Sequence, residues 1–327
     1  MPESSSDPVL MKSIPAKAFA RDVYSFWQPL DSKFVEMRVG LSRRANAEFC
    51  SLFWMKYLYN FIDYSDRTRN LAPQQLINRS EEAAADYGAL VAGNLSNTWE
   101  YDPEVSNSAK AVRAIFDEQV GWAVQENADF VIAETFSHLG EARLALKSIQ
   151  AGGLPAVITF SPATGASCDG YEWEDACKIL QDEGADVVGL NCGNGPATML
   201  PFLEKIRQKT GGHLAGLPVP YRTTEQQPCF QKLSLPESST SFPVSLEPFL
   251  LTRYEMADFA TSARDMGINY IGICCGAGPH HVRAMAEALG RKTRASKYSP
   301  DMSLHPVFGD KDTREKHVVC LLGPVDQ

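Results

Sequence analysis

Asp129-Phe-Val-Ile-Ala-Glu-Thr-Phe136 is an apolar run that closes on polar residues, and a helix-like stretch from Gly140 to Gln150 follows it. Continuous apolar runs of this kind are typical of strands in a parallel sheet that helices cover. The same unit of strand and helix returns along the chain from about residue 70 onward. The sequence predicts strands at Ala89–Gly93, Asp129–Phe136, Pro155–Phe160, Asp186–Cys192, Leu214–Pro220 and Asn269–Gly276.

The repetition of this unit decides the fold class. About six βα units in succession favour an α/β protein with a (β/α)8 TIM-type barrel, and a doubly wound open sheet is the alternative. The segment before residue 72 has helix-like stretches, notably Asn46 to Phe61, but no recognisable strand. The first two strands of a full barrel are therefore predicted to be divergent or missing. Neither glycine-rich phosphate-binding motif follows a strand, which weakens a nucleotide-binding version.

Composition and charge exclude several classes of protein. The 327 residues carry a net charge of −9 at pH 7, and no cluster of cations suits nucleic acid phosphates. No apolar run approaches the ~20 residues that span a bilayer, and the polar first residues lack the layout of a secretory signal. We therefore expect no nucleic acid partner, no membrane association and a cytoplasmic location. In that compartment, cysteines are more often buried, catalytic or metal-bound than paired in disulfides.

Thiols stand where two of the predicted strands end. Cys192 closes one strand, and Cys274 and Cys275 close the last. The carboxyl ends of all barrel strands face one mouth, where such enzymes place their sites, so three thiols are expected to meet there. Three thiolates with a fourth position open suit a catalytic Zn²⁺. The alternatives are that these cysteines are small buried hydrophobic residues or a redox pair.

Two cysteine motifs carry a resemblance to a known family. Gly189-Leu-Asn-Cys-Gly-Asn-Gly-Pro196 and Gly272-Ile-Cys-Cys-Gly-Ala-Gly-Pro279 resemble the two zinc signatures of homocysteine S-methyltransferases. Four shorter stretches are similar as well, the last two to the betaine–homocysteine S-methyltransferase branch in particular: His281–Ala286, Ile132–Phe136, Pro218–Thr223 and Ser245–Pro248.

The resemblance implies a division of the chain and a reaction. Residues 72–290 are expected to form the homocysteine-binding barrel, residues 1–71 a divergent N-terminal segment and residues 291–327 a C-terminal tail. The implied reaction is zinc-dependent methyl transfer from an onium donor, such as betaine or dimethylsulfoniopropionate, to homocysteine, which gives methionine. Zn²⁺ is the implied cofactor, and Cys192, Cys274 and Cys275 are its implied ligands.

The resemblance also assigns roles around the zinc. Glu134 is expected to hold the amino group of homocysteine, and Thr135 and Asn191 are further candidates for binding substrate. Tyr221 and Glu247 are candidates on the donor side, next to a long polar loop over residues 222–247. Aromatic faces hold onium groups, and tryptophans such as Trp99 are candidates for that contact. His280 and His281 are expected to cap and flank the following helix rather than to bind metal.

Two other functions stay open from the sequence alone. One is a homocysteine methyltransferase that uses S-methylmethionine as its donor. The other is a catalytically impaired relative that binds zinc and homocysteine, because no Asp-Gly-Gly type motif of the family's first strand stands before residue 72. The sequence also leaves open whether the chain forms homo-oligomers.

Overall fold

The structure, a computed structural model, describes residues 90–235 and 241–305. The predicted helix from Asn46 to Phe61 and the N-terminal segment 1–71 lie outside these described residues, so the proposed domain boundaries stay predictions. In the described part of the tail, residues 291–305 form two short 3-10 turns, Arg294–Tyr298 and Met302–Leu304. No side chain described there is buried, so this stretch adds little to the core.

Six strands and six α-helices alternate along the described chain. The strands are β1 (Ala92–Ser96), β2 (Phe130–Phe136), β3 (Ala156–Phe160), β4 (Val187–Asn191), β5 (His213–Leu217) and β6 (Tyr270–Ile271). The helices are α1 (Ser108–Gln125), α2 (Leu139–Ala151), α3 (Trp173–Asp182), α4 (Pro196–Lys209), α5 (Arg253–Asp265) and α6 (Pro279–Ala288). None of the helices described is long and apolar enough to cross a membrane.

The strands form one parallel sheet in which each strand pairs with its sequence neighbours, in the order β1-β2-β3-β4-β5-β6. A doubly wound sheet reverses its strand order at a switch point, and this sheet has no reversal. Six consecutive βα units in sequential order are the arrangement of a (β/α)8 barrel. The predicted fold class is therefore confirmed, and the doubly wound alternative does not fit.

Side chains alternate between the two faces of the sheet. One face packs against the helices and contributes residues such as Leu95, Ile158 and Leu190 to the main core. On the opposite face, here called the inner face, Ile132 and Val157 belong to a second apolar cluster. Successive strand residues point to opposite faces, so the residue two positions after an inner-face residue also lies on the inner face.

The first strand begins and ends later than the sequence predicts. Ala89–Gly93 is the predicted strand, whereas β1 extends to Ser96, so Asn94 and Ser96 lie within the strand rather than after it. The prediction took these polar residues as the end of an apolar run. On the inner face, however, a polar residue finds partners, because Asn94 Nδ2 donates a hydrogen bond to Glu134 Oε1 at 2.8 Å.

The last strand is shorter than predicted, and the long loop is largely irregular. Pairing in β6 covers only Tyr270 and Ile271, whereas the predicted strand reached Gly276. Within the described part of the loop over residues 222–247, the regular structure is the 3-10 turn Phe230–Lys232 and the start of Glu247–Phe249. An antiparallel bridge joins Tyr221 to Leu250 at the base of the loop.

Candidate functional site

Three cysteine side chains meet at the carboxyl edge of the sheet. The Sγ atoms of Cys192 and Cys275 lie 3.6 Å apart, and those of Cys274 and Cys275 lie 4.0 Å apart. All three sulfur atoms lie within 4.8 Å of one another. Each side chain is buried, and none of the three forms a disulfide. The predicted cluster of thiols therefore exists in this structure.

The backbone turns sharply to bring Cys192 into the cluster. Cys192 follows β4 directly and has a φ of 59°, in the left-handed backbone region that residues other than glycine rarely adopt. Its N–H donates to Leu217 O at 2.9 Å, and its own carbonyl accepts from Asn194 N at 2.7 Å. These two hydrogen bonds hold the turn in its strained conformation. Backbone strain of this kind is concentrated at functional sites.

Two adjacent cysteines reach one site because the strand ends before them. Cys274 N donates to Pro218 O at 2.8 Å, and Cys274 O accepts from Ala277 N at 3.3 Å, so a turn follows the last strand pairing. Gly276 has a φ of 85° within this turn. Within a regular strand, consecutive side chains point to opposite faces. The turn removes that restriction, and both thiols face Cys192.

The thiol cluster fits a zinc ion. Tetrahedral zinc with Zn–S bonds of ~2.3 Å places sulfur ligands about 3.8 Å apart. The two Sγ–Sγ separations of 3.6 and 4.0 Å lie on either side of that value. Sulfur atoms in a disulfide lie about 2.05 Å apart, so the cluster is not a disulfide pair. Three thiolates leave one position of a tetrahedral ion for a substrate.

A buried network of polar side chains joins the thiols to Glu134. Asn191 Oδ1 accepts from Thr135 N and from Thr159 Oγ1, both at 2.8 Å. Asn191 Nδ2 donates to Thr135 Oγ1 at 2.7 Å, and it lies 3.4 Å from Glu134 Oε2 and 3.9 Å from Cys274 Sγ. The amide of Asn191 therefore links the carboxylate to the edge of the sheet where the thiols meet.

The network explains where three of the predicted binding residues lie. Glu134 is 4% exposed and lies on the inner face of β2, two residues after Ile132. Thr135 has a φ of 69°, a left-handed conformation that its hydrogen bonds to Asn191 hold in place. Contacts of Glu134, Thr135 and Asn191 with a substrate stay predictions. The hydrogen bonds of Asn191 to protein groups suit a residue that positions its neighbours.

Thr159 is a member of the site that the sequence analysis did not identify. It lies within the apolar run that predicts β3 and has no exposed surface. One signal was available, since Thr159 comes two residues after Val157 and therefore falls on the inner face with Glu134 and Asn191.

The candidates for the donor side are not equally placed. Tyr221 is buried in one apolar cluster with the three cysteines, and its ring stacks on Phe230 with centroids 5.6 Å apart. A side chain at Gly276 would meet the Tyr221 ring, so Tyr221 packs closely against the cysteine turn. Glu247 is exposed at the start of a one-turn 3-10 helix. Trp99 is 58% exposed, with a φ of 63°, three residues after the carboxyl end of β1.

The two histidines beside the second cysteine motif have a structural role. His281 Nδ1 accepts from Gly278 N at 3.0 Å and thereby caps α6, and its Nε2 lies 2.9 Å from Leu251 O. With Nδ1 accepting, Nε2 carries the proton and donates to that carbonyl. Burial lowers the pKa of His281, against the opposing effect of the Leu251 hydrogen bond. His280 packs against it, with ring centroids 4.0 Å apart.

A second buried carboxylate, that of Glu141, joins the loop after β1 to helix α2. Glu141 Oε1 accepts from Thr98 N and Thr98 Oγ1, both at 2.7 Å, which ties the loop after β1 to the first turn of α2. Burial raises the pKa of Glu141, although both hydrogen bonds from Thr98 act in the opposite direction. Asp169 accepts from Leu139 N and Gly140 N at the start of the same helix.

A sequence model of the homocysteine S-methyltransferase family matches residues 54–289 of the chain. The chain belongs to this family. The match covers both cysteine motifs and Glu134, as well as all the α-helices and strands described here. It also begins before the first described residue and includes part of the segment that the motifs alone leave unassigned.

Individual relatives place the chain near one branch of the family. It is 34% identical to betaine–homocysteine S-methyltransferase 1 of Xenopus laevis over 217 residues, which are 64% of this chain and 52% of that protein. It is 32% identical to S-methylmethionine–homocysteine S-methyltransferase BHMT2 of Rattus norvegicus, over 64% of this chain and 57% of that protein. The chain thus spans about half the length of the curated relatives it matches.

A solved structure supports the fold. The metallated form of the homocysteine methyltransferase MmuM from Escherichia coli superposes with a TM-score of 0.50 at 16% sequence identity. The alignment covers 81% of this chain and 87% of that one. At this level of identity the likeness concerns the arrangement of the strands and helices.

Proposed function

We propose that this protein transfers a methyl group from an onium donor to the sulfur of homocysteine, with zinc as its cofactor. One observation carries the proposal: three buried thiols from two strand ends lie within 4.8 Å of one another, joined through Asn191 to the buried carboxylate of Glu134. Membership of the homocysteine S-methyltransferase family supports the choice of acceptor.

The acceptor needs two recognition groups, and the site offers both. Cys192, Cys274 and Cys275 would hold Zn²⁺, which would bind the acceptor sulfur and favour its thiolate form at neutral pH. Glu134 would bind the ammonium group of the same amino acid. Asn191 would fix the position of the Glu134 carboxylate relative to the thiols, because its own amide is held by hydrogen bonds with Thr135 and Thr159.

The transfer itself requires little further chemistry from the protein. The sulfur lone pair forms the new S–CH3 bond while the bond from that methyl carbon to the onium nitrogen or sulfur breaks, and the bonding electrons leave with a neutral amine or thioether. Negative thiolate and positive onium group neutralise each other, so a dry pocket favours the step. Burial of the three thiols and of Glu134 gives such surroundings.

The donor is proposed only as a class. Betaine carries a quaternary ammonium group, and dimethylsulfoniopropionate carries a sulfonium group. S-methylmethionine, the donor in the name of the rat relative, also carries a sulfonium group. Aromatic faces attract such cations. Trp99, exposed beside the carboxyl end of β1, is the described aromatic residue that best suits this contact.

The test is methionine formation by zinc-loaded protein from homocysteine with each of the three donors. Turnover with any donor that disappears in Cys274→Ala supports the proposal. The matched control is Cys177→Ala, which removes a buried thiol from α3, away from the cluster. Zinc and homocysteine binding without turnover on any donor would contradict methyl transfer and favour the impaired relative.

A further inference from the structure

The strand β1 ends at a buried hydroxyl that the proposed chemistry does not yet use. Ser96 is the last residue of β1 and is 7% exposed. Within the described chain, Ser96 Oγ is fully buried and has no hydrogen-bond partner. A buried polar atom without a partner costs free energy, and such atoms in native proteins call for an explanation, such as an absent ligand or water.

Ser96 faces the same side of the sheet as the proposed acceptor site. Leu95 packs in the core between sheet and helices, whereas Ala92 packs against the inner-face cluster. The side chain of Asn94 reaches Glu134, which is also on the inner face. Alternation along the strand therefore directs Ser96 to the inner face as well. The register of the sheet pairs Ser96 directly with Glu134 on the neighbouring strand.

The chemistry of an amino acid acceptor makes this position informative. In homocysteine the ammonium and carboxylate groups are attached to the same carbon atom, so a protein that binds the ammonium at Glu134 must meet the carboxylate beside it. Glu134 repels that carboxylate. The amide hydrogens of Asn191 face Thr135 Oγ1 and the Glu134–Cys274 side of the network.

A hydroxyl group on the adjacent strand is suitably close. Paired residues on neighbouring strands lie about 4.8 Å apart between backbones, and a serine hydroxyl donates hydrogen bonds to carboxylates. We propose that the Ser96 hydroxyl binds the α-carboxylate of the acceptor amino acid, opposite the ammonium group held by Glu134. This inference rests on the proposed function.

Three thiol ligands distinguish the contact of Ser96 with the carboxylate from the contact of Glu134 with the ammonium group. Homocysteine has both charged groups, 4-mercaptobutanoate lacks the ammonium, and 3-aminopropanethiol lacks the carboxylate. Binding of each to zinc-loaded protein is measured by titration calorimetry for the wild type, Ser96→Ala and Glu134→Gln. Ser96→Ala is expected to weaken binding of homocysteine and 4-mercaptobutanoate, which carry a carboxylate, roughly 10- to 100-fold, the range for a hydrogen bond to a charged group. The affinity for 3-aminopropanethiol should be unchanged.

Glu134→Gln is expected to show the reverse pattern, with weaker binding of homocysteine and 3-aminopropanethiol. Ser148→Ala is the matched control, because Ser148 Oγ on α2 is likewise buried without a described partner. It should leave all three affinities unchanged. The ligand-free Ser96→Ala protein should retain its zinc and melt no lower than the wild type, since the substitution removes an unpaired buried hydroxyl.

The outcomes are distinct. Equal affinity of the wild type and Ser96→Ala for both carboxylates would show that the hydroxyl holds a water only, and would overturn the inference. An equal loss for all three thiols would overturn it too, because it would mean a general disturbance of the site. If the wild type fails to bind homocysteine at all, the proposed function fails, and this inference falls with it.

Discussion

At the scale of single residues, the site depends on side chains that the backbone places in unusual conformations. Thr135 and Cys192 both have positive φ values, and each lies one position from a member of the Glu134–Asn191 link. Sequence patterns identified the thiols and Glu134 because strand ends in a barrel meet at one mouth. The hydrogen bonds of Thr159 and Asn191 could not be predicted, since they depend on the register between β3 and β4.

The first residue-scale prediction concerns the metal. Replacing Cys192 with alanine leaves two thiols, which is too few for a tight zinc site, so the purified variant should lose most of its zinc. The wild type should contain about one zinc per chain, since three thiolates suit a single tetrahedral ion. Metal content is measured by atomic emission. Cys177→Ala should keep its zinc, and full zinc retention by Cys192→Ala would contradict the assignment.

A second residue-scale prediction concerns pH and His281. Burial lowers its pKa, so the folded state favours the neutral ring, which caps α6 through Nδ1. The unfolded chain binds the proton more readily, so stability is fully present above the ordinary histidine pKa of ~6.5 and is lost as the pH falls below it. The melting temperature should therefore drop from pH 7.5 to pH 5.

The variant His281→Asn tests the source of this slope. Asparagine offers an oxygen acceptor to Gly278 N but does not titrate, so its melting temperature should depend less on pH over that range. His280→Asn leaves both hydrogen bonds of His281 in place and should keep the His281 part of the slope. An unchanged slope in His281→Asn would show that other groups dominate the acid sensitivity.

At the scale of elements, helices were easier to predict than strand ends. The helix predicted from Gly140 to Gln150 agrees with α2 (Leu139–Ala151) to within one residue at each end, because its apolar residues recur with the period of a helix. The predicted end of β1 is wrong by three residues, since Asn94 and Ser96 are polar but face the inside of the sheet. Polarity marks a strand end only where the polar group meets water.

One helix start gives an element-scale prediction. Thr252 Oγ1 accepts from Glu255 N at the start of α5, and Glu255 Oε2 accepts from Thr252 N at 2.8 Å, which together form a capping box. Thr252→Ala should lower the free energy of unfolding by about 1 kcal/mol, the usual value of such a cap. Urea unfolding measures the change. Thr252→Ser keeps the cap and should stay within a few tenths of a kcal/mol of the wild type.

At the scale of the whole molecule, the sheet is not closed by the strands described. Within residues 90–235 and 241–305, β1 pairs only with β2, and β6 pairs only with β5. The sequence likewise predicts that the first two strands of a closed barrel are divergent or missing, since it has no recognisable strand before residue 72. The family match nevertheless begins at residue 54, so residues 54–89 lie within the matched stretch of sequence. We expect that stretch to cover the edge of β1 that no described strand pairs.

Deletion of residues 1–89 tests this expectation. A bare edge of a parallel sheet presents unpaired N–H and C=O groups, which promote association with other chains. The truncated protein should therefore elute as aggregates in size-exclusion chromatography with light scattering and should melt at a lower temperature than the full chain. Deletion of residues 306–327 is the control and should cause neither change, because none of the side chains described in the adjoining residues 291–305 is buried. A monodisperse chain from residue 90 with an unchanged melting temperature would show that β1 needs no cover.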